Sequence, residues 1–167
     1  HRVFKRLEDL YYPVIARIDG YALGGGLELA MACDLIVATS NAKFGQPEAK
    51  LGFVSGWGGS YRLPRRVGIG KAKEMFFTGK IIDADEADRI NLVDYVGTKD
   101  EVDSYLTSLF SDIRKCSPLA ISMMKEMINN SFDVNIDENC REEIITSNIC
   151  LGDEDTKKRV KKFLQKE

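Results

Sequence analysis

Three consecutive glycines, Gly24 to Gly26, run directly into Leu27-Glu28-Leu29-Ala30-Met31-Ala32-Cys33. No other stretch of the chain narrows the fold so far. Adjacent glycines allow backbone conformations and close approaches that a Cβ forbids. A helix that starts right after them leaves its first-turn N–H groups pointing outward. This helix is apolar on every side, which marks it as buried. Glu28 is its one charge, and a carboxylate is seldom buried without a partner or a task. "PVIARI" before the glycines and "LIVAT" after Asp34 are rich in β-branched residues and read as strands. The helix between them is the connection of a βα unit.

The remaining pattern is coarser. Residues 2–10 place Val3, Phe4, Leu7 and Leu10 at helical spacing, and Pro13 ends that helix. "DGYALGGG" reads as a turn, and the Gly-rich run from Ala42 to Ser60 as a structured loop over a site. From about Gly58 onward the reading is helical. "DADEADRINLVDYV" gives a short helix leading into a strand, and "EVDSYLTSLFSDI" puts Val102, Tyr105, Leu106, Leu109, Phe110 and Ile113 on one helical face. Pro118 opens a further helix at its first turn, and two more cover about 136–150 and 153–166. The expected organisation is an α/β part over residues 1–97 and a helical region over 98–167. Two βα units are too few for a parallel core covered on both faces, so the chain is expected to begin partway through a domain.

Composition removes several function classes. With 24 basic and 26 acidic residues the net charge is −2, which offers nothing to nucleic acid. No apolar run is long enough to cross a membrane, and "HRVFKRLEDLYY" lacks the apolar core of a secretory signal. The single histidine, His1, argues against a His-based triad or a multi-His metal site. Cys33, Cys116, Cys140 and Cys150 form no CxxC pair and read as packing residues in a reducing, cytoplasmic setting. Acid–base chemistry must then rest on Asp, Glu, Lys, Tyr or backbone groups.

The glycine turn suits either a phosphate or an oxyanion, or is simply a tight strand-to-helix corner. The phosphate spacings GxGxxG and GxxxxGK[ST] are absent. Glu28 either complements the helix dipole or transfers protons; burial of an acid favours its neutral form and helps the second role. Glu48, in "FGQPEAKLG", would by itself be an exposed turn acid. Facing Glu28 across a cleft, the two carboxylates hold a water and divide acid and base roles. "SGWGGS" brings backbone close to the same place, and Trp57 within it is either core or a ligand platform. Arg62, Arg65 and Arg66 in "RLPRR" read as a solvated helix end. "KKRVKKFLQK" reads as a solvated terminal helix, with a phosphate-rich ligand as the alternative.

Together, "PVIARIDGYALGGGLELAMACDLIVAT", "AKFGQPEAKLG", "GWGGSYRLPRRVG" and "AKEMFFTGKIIDADEADRINLVDYV" resemble the enoyl-CoA hydratase (crotonase) family. The likeness runs from "FKRLEDL" to "DTKKRVKKFLQKE". It implies a crotonase-like α/β fold of ββα repeats wound into a spiral, with a C-terminal helical trimerisation region. The N-terminal part of the family fold, which carries the second oxyanion-hole N–H and much of the CoA contact, is expected to be absent from this chain. The resemblance implies an acyl-CoA substrate, no metal, no cofactor beyond the CoA of the substrate, and a homotrimer or dimer of trimers.

Gly25 matches the glycine whose N–H forms half of the oxyanion hole, with Gly24 beside it at the substrate. Glu28 and Glu48 match the two glutamates that hold the catalytic water, and Gly56 a glycine next to that water. Phe163 and Lys166 fall where the family often has F-x-x-K near a CoA adenine. Trp57 stands where the family usually has a small residue, and Lys158-Arg159 replace a frequent Glu-Gly pair. The implied activity is reversible addition of water across the 2,3-double bond of an acyl-CoA. The alternatives are another crotonase-fold reaction (isomerisation, decarboxylation or hydrolysis) or a non-catalytic truncated subunit. Retention of both glutamates favours hydration.

Overall fold

The computed structural model describes residues 1–165. After helix α1 (Arg2–Glu8), strands β1 (Ile15–Ile18) and β2 (Tyr21–Leu23) are separated only by Asp19 and Gly20, yet they lie in different sheets. Gly20, at φ +126°, turns the corner between them, a conformation open mainly to glycine. Helix α2 (Gly25–Met31) follows. Strand β3 (Leu35–Thr39) then returns beside β1 in parallel, Ile15 opposite Leu35, and β4 (Lys43–Gly45) returns beside β2, Ala22 opposite Phe44. Each ββα repeat therefore feeds one strand into each of two sheets before its helix. This is the crotonase-like α/β spiral.

Strand β3 is the middle strand of its sheet, and Ile36, Val37, Ala38 and Thr39 are all buried, as expected of a parallel strand covered on both faces. Its other neighbour is β6 (Tyr95–Gly97). In the second sheet β5 (Ile81–Asp83) pairs antiparallel with β4, Phe44 opposite Ile82. Between the sheets' strands run a 3-10 turn (Glu48–Leu51) and helices α3 (Gly59–Val67), α4 (Ile69–Thr78) and α5 (Ala84–Arg89). Leu27 and Met31 of α2, Leu63 of α3 and Met75 of α4 join Ile36 and Phe44 in one core.

Three short strands lie where the sequence suggests turn, loop or helix. β2 sits inside "DGYALGGG", β4 inside the Gly-rich run, and β5 follows the "GK" after α4. Strands of three residues are too short to show alternation, and each exists through its pairing with a remote partner. Helix α1 stops at Glu8, earlier than the spacing suggests.

By contact, His1–Leu10 and Val14–Ser108 form one compact unit; Tyr11–Pro13 and the residues from Leu109 onward form a second. Helix α6 (Lys99–Lys115) runs from the first into the second and fully buries only Val102. In the second unit Ser117, Asn135 and Asp153 cap α7 (Pro118–Asn130), α8 (Ile136–Gly152) and α9 (Glu154–Leu164). None of these three helices buries a residue within the chain. No helix among the described residues is long and apolar enough to cross a membrane.

Candidate active site

Helix α2 starts behind Gly24, at φ +51° and ψ −122°, which a side chain would strain. The Gly24 N–H donates to Gly45 O at 2.9 Å, tying the start of the helix to β4. That N–H is spent, whereas the N–H of Gly25 has no carbonyl four residues back to bond. Both glycines are also steric necessities. A Cβ on Gly24 would lie 2.9 Å from Glu48 Oε1, and one on Gly25 would lie 2.0 Å from the Trp57 ring.

Glu28 is 2% exposed, one turn into α2. Its Oε1 accepts from Ser55 Oγ at 2.5 Å, Trp57 N at 2.9 Å and Gly59 N at 2.8 Å. The Gly-rich run thus wraps its backbone around one oxygen of the buried acid. Gly59 must be small here, because a Cβ would come within 2.7 Å of Ser55 Oγ and 3.1 Å of Glu28 Oε1.

Glu48 opens the 3-10 turn after Pro47 and is half-buried. Burial pushes its carboxyl above the ordinary glutamate range; a backbone hydrogen bond opposes this, and the nearby charge of Glu28 adds to the rise. Two acids are therefore brought together from two successive repeats. Gln46, fully buried just after β4, lies against both Glu48 and Gly59 of the loop. With its amide nitrogen toward Glu48, the orientation its neighbours require, it donates to Glu48 Oε1 and Oε2 at 2.8 and 3.0 Å.

Trp57 is 52% exposed, with its ring over Gly25 and in an edge-to-face contact with Phe4 of α1, centroids 5.8 Å apart. Gly56 beside it faces open space. Arg62 corrects the expectation of a solvated "RLPRR": it is 5% exposed, because Glu8 and the Trp57 carbonyl satisfy its guanidinium. Arg66 is also half-buried, donating to the Asp34 and Leu92 carbonyls and to Asp94, whereas Arg65 is exposed.

Phe163 is exposed on α9 in the second unit, and Lys166 lies outside the described residues. Among the described residues, no three His, Cys, Asp or Glu side chains gather as a metal site would need. Such an arrangement can hold a water against one fixed carboxylate and supply a proton from a second. Ser55, Gly59 and Gln46 were not legible as members of it. The available signal was proximity in sequence: Gln46 two residues before Glu48, and Ser55 and Gly59 flanking Trp57.

Across residues 1–167 the chain matches the family described as enoyl-CoA hydratase/isomerase. It is 43% identical over 166 residues to a short-chain-enoyl-CoA hydratase of Clostridium acetobutylicum, covering 99% of this chain and 64% of that protein. It is 42% identical over 165 residues to a crotonyl-CoA hydratase of Syntrophomonas wolfei, with the same coverages. The crystal structure of an enoyl-CoA hydratase from Bacillus anthracis superposes with a TM-score of 0.94 at 34% identity, over 99% of this chain and 64% of that one. The chain thus spans somewhat less than two thirds of the length of these relatives.

Proposed function

Because the chain belongs to the enoyl-CoA hydratase/isomerase family, we propose that the protein carrying it adds water reversibly across the 2,3-double bond of a short acyl-CoA thioester. The observation that carries this reading is the Glu28–Glu48 pair. Glu28 is fixed through Oε1 by three donors, which leaves Oε2 to take a proton from water as oxygen bonds to C3. Glu48, raised by burial, delivers a proton to C2. The negative charge that develops on the thioester oxygen between these events is met by the N–H of Gly25 at the start of α2. Hydration leaves Glu28 protonated and Glu48 deprotonated, and proton exchange with solvent restores both, so the net addition of one water needs no cofactor beyond the CoA of its substrate. Two relatives named for hydrating short-chain enoyl-CoA and crotonyl-CoA support the substrate class.

Trp57, beside Gly56 and over Gly25, is proposed to bound the acyl pocket and to favour short chains. Phe163 and Lys166 are proposed to contact CoA, and the helical region to build a homotrimer or dimer of trimers. The exposed Ile144, Ile145, Ile149 and Leu151 support the last point, since α8 alone leaves them in water. A cytoplasmic setting is proposed on the four free cysteines.

The test is to incubate the purified full protein with crotonyl-CoA and follow the thioester by mass. Gain of one water supports hydration. An unchanged mass with a shifted double bond makes the reaction an isomerisation, and release of free CoA makes it a hydrolysis. An unreacted substrate refutes the reading. Sedimentation of the same sample tests the trimer.

A further inference from the structure

Arg62 is the most buried cation of the first unit, and the reaction outlined above gives it no task. A buried ion pair is weak support for stability, because desolvation consumes much of the attraction. Its geometry is specific, however. Nε donates to Glu8 Oε1 at 2.5 Å, and Nη1 donates to the Trp57 carbonyl at 2.6 Å. The guanidinium carbon also lies over the Tyr61 ring, at 4.6 Å from its centre. Gly58, at φ +105°, leaves the opening through which the side chain reaches: a Cβ there would lie 2.2 Å from Nη1.

The residue so held is the one that serves Glu28. Trp57 donates its N–H to Glu28 Oε1, while its C=O, on the next peptide, accepts from Arg62. Gly59 N, two residues on, donates to the same carboxylate oxygen. The loop therefore has Glu28 on one side and Arg62 on the other. Helix α1 fixes both ends of this clamp, through Glu8 on Arg62 and Phe4 on the Trp57 ring.

We propose that Arg62 is a positioning residue, which holds the Trp57 carbonyl so that the Trp57 and Gly59 N–H groups stay aimed at Glu28 and the indole stays over Gly25, with Glu8 setting the guanidinium. The kinetic part rests on the hydratase reading; the placement of Trp57 does not. A lysine lacks the planar fork that reaches Glu8 and a carbonyl at once, so it restores the charge but only part of the hold.

The experiment compares Arg62→Met, Arg62→Lys and Glu8→Gln in the full protein. It uses crotonyl-CoA kinetics and the emission and acrylamide quenching of Trp57, with Trp57→Phe as the blank. Expected is a fall in kcat of roughly 10- to 100-fold for Arg62→Met with KM within about threefold, because small misplacements of a catalytic group are costly. Arg62→Lys and Glu8→Gln should be intermediate, and Trp57 should become more quenchable in the same order. Folded variants with wild-type kcat and unchanged Trp57 quenching overturn the proposal. So does a loss of kcat in Arg62→Met that only follows loss of folded protein, with Glu8→Gln and Arg62→Lys at wild-type values. If the wild-type protein does not hydrate crotonyl-CoA, the functional reading fails, and the quenching series alone decides whether Arg62 holds the loop.

Discussion

Replacing Glu28 by glutamine or by alanine separates the charge at this position from the hydrogen bonds it anchors. Glutamine keeps a carbonyl oxygen where Oε1 stands, so Ser55 Oγ, Trp57 N and Gly59 N keep their acceptor. The bonds become neutral and weaker, at about 1 kcal/mol each rather than about 2. Against that, a neutral amide is cheaper to bury than a carboxylate at 2% exposure. The two effects oppose, and the expected net change in stability is within about 2 kcal/mol. Alanine removes the acceptor altogether. Ser55 is half-buried and can turn to water, which leaves the N–H groups of Trp57 and Gly59 stranded at about 1–3 kcal/mol each. Glu28→Ala should therefore unfold at clearly lower denaturant than Glu28→Gln. Turnover of crotonyl-CoA should fall by roughly two or more orders of magnitude in both, with substrate binding far less affected. Parallel denaturant melts and steady-state kinetics on the full protein read both quantities. A Glu28→Gln protein that turns over within tenfold of wild type refutes the proton-transfer role. One that is as unstable as Glu28→Ala shows that the carboxylate chiefly supports the loop.

Three other outcomes follow from the same geometry. The raised carboxyl of Glu48 means the folded protein holds that proton more tightly than the unfolded chain, so this group's contribution is fully present below the ordinary glutamate value and is lost as pH rises through the folded one. Relative to wild type, Glu48→Gln should gain stability as pH is raised from about 4 to 7, while losing hydratase turnover by roughly two orders of magnitude; a stability difference flat with pH would contradict the burial of that proton. Gly25→Ala should displace the Trp57 ring, since the new Cβ would sit 2.0 Å from it, and a double-mutant cycle with Trp57→Ala should show coupling of about 1 kcal/mol or more, with strict additivity placing the ring elsewhere in solution. Trp57→Ala should raise the ratio of kcat/KM for longer over four-carbon enoyl-CoA by roughly fourfold per newly buried methylene, about 0.8 kcal/mol each; an unchanged ratio would remove Trp57 from the acyl pocket.

Much of the first unit was readable locally. "PVIARI" and "LIVAT" announce strands through β-branched residues, and α2 announces its burial by being apolar all round. The helices of the second unit appear within a few residues of the expected start at Pro118 and the expected spans of about 136–150 and 153–166. Of the three-residue strands, β6 was readable behind its short helix, whereas β2, β4 and β5 were not, because a strand that short carries no period and exists only through its partner.

The same division runs through the site. The sequence by itself determined that an acid sits in a buried helix behind glycines, and that a second acid follows on the next repeat. These are local patterns of burial and turn chemistry, and they survive whatever surrounds them. Only the tertiary structure decided what each polar group meets. Arg62 looks solvated in a run of arginines, yet it is buried because Glu8 offsets its charge from 54 residues away. Trp57 reads either as core or as a ligand platform, and it stands half in water with its backbone committed to Glu28 on one side and Arg62 on the other. Hydrogen-bond partners and desolvation depend on distance in space, and a sequence read in order reports only distance along the chain.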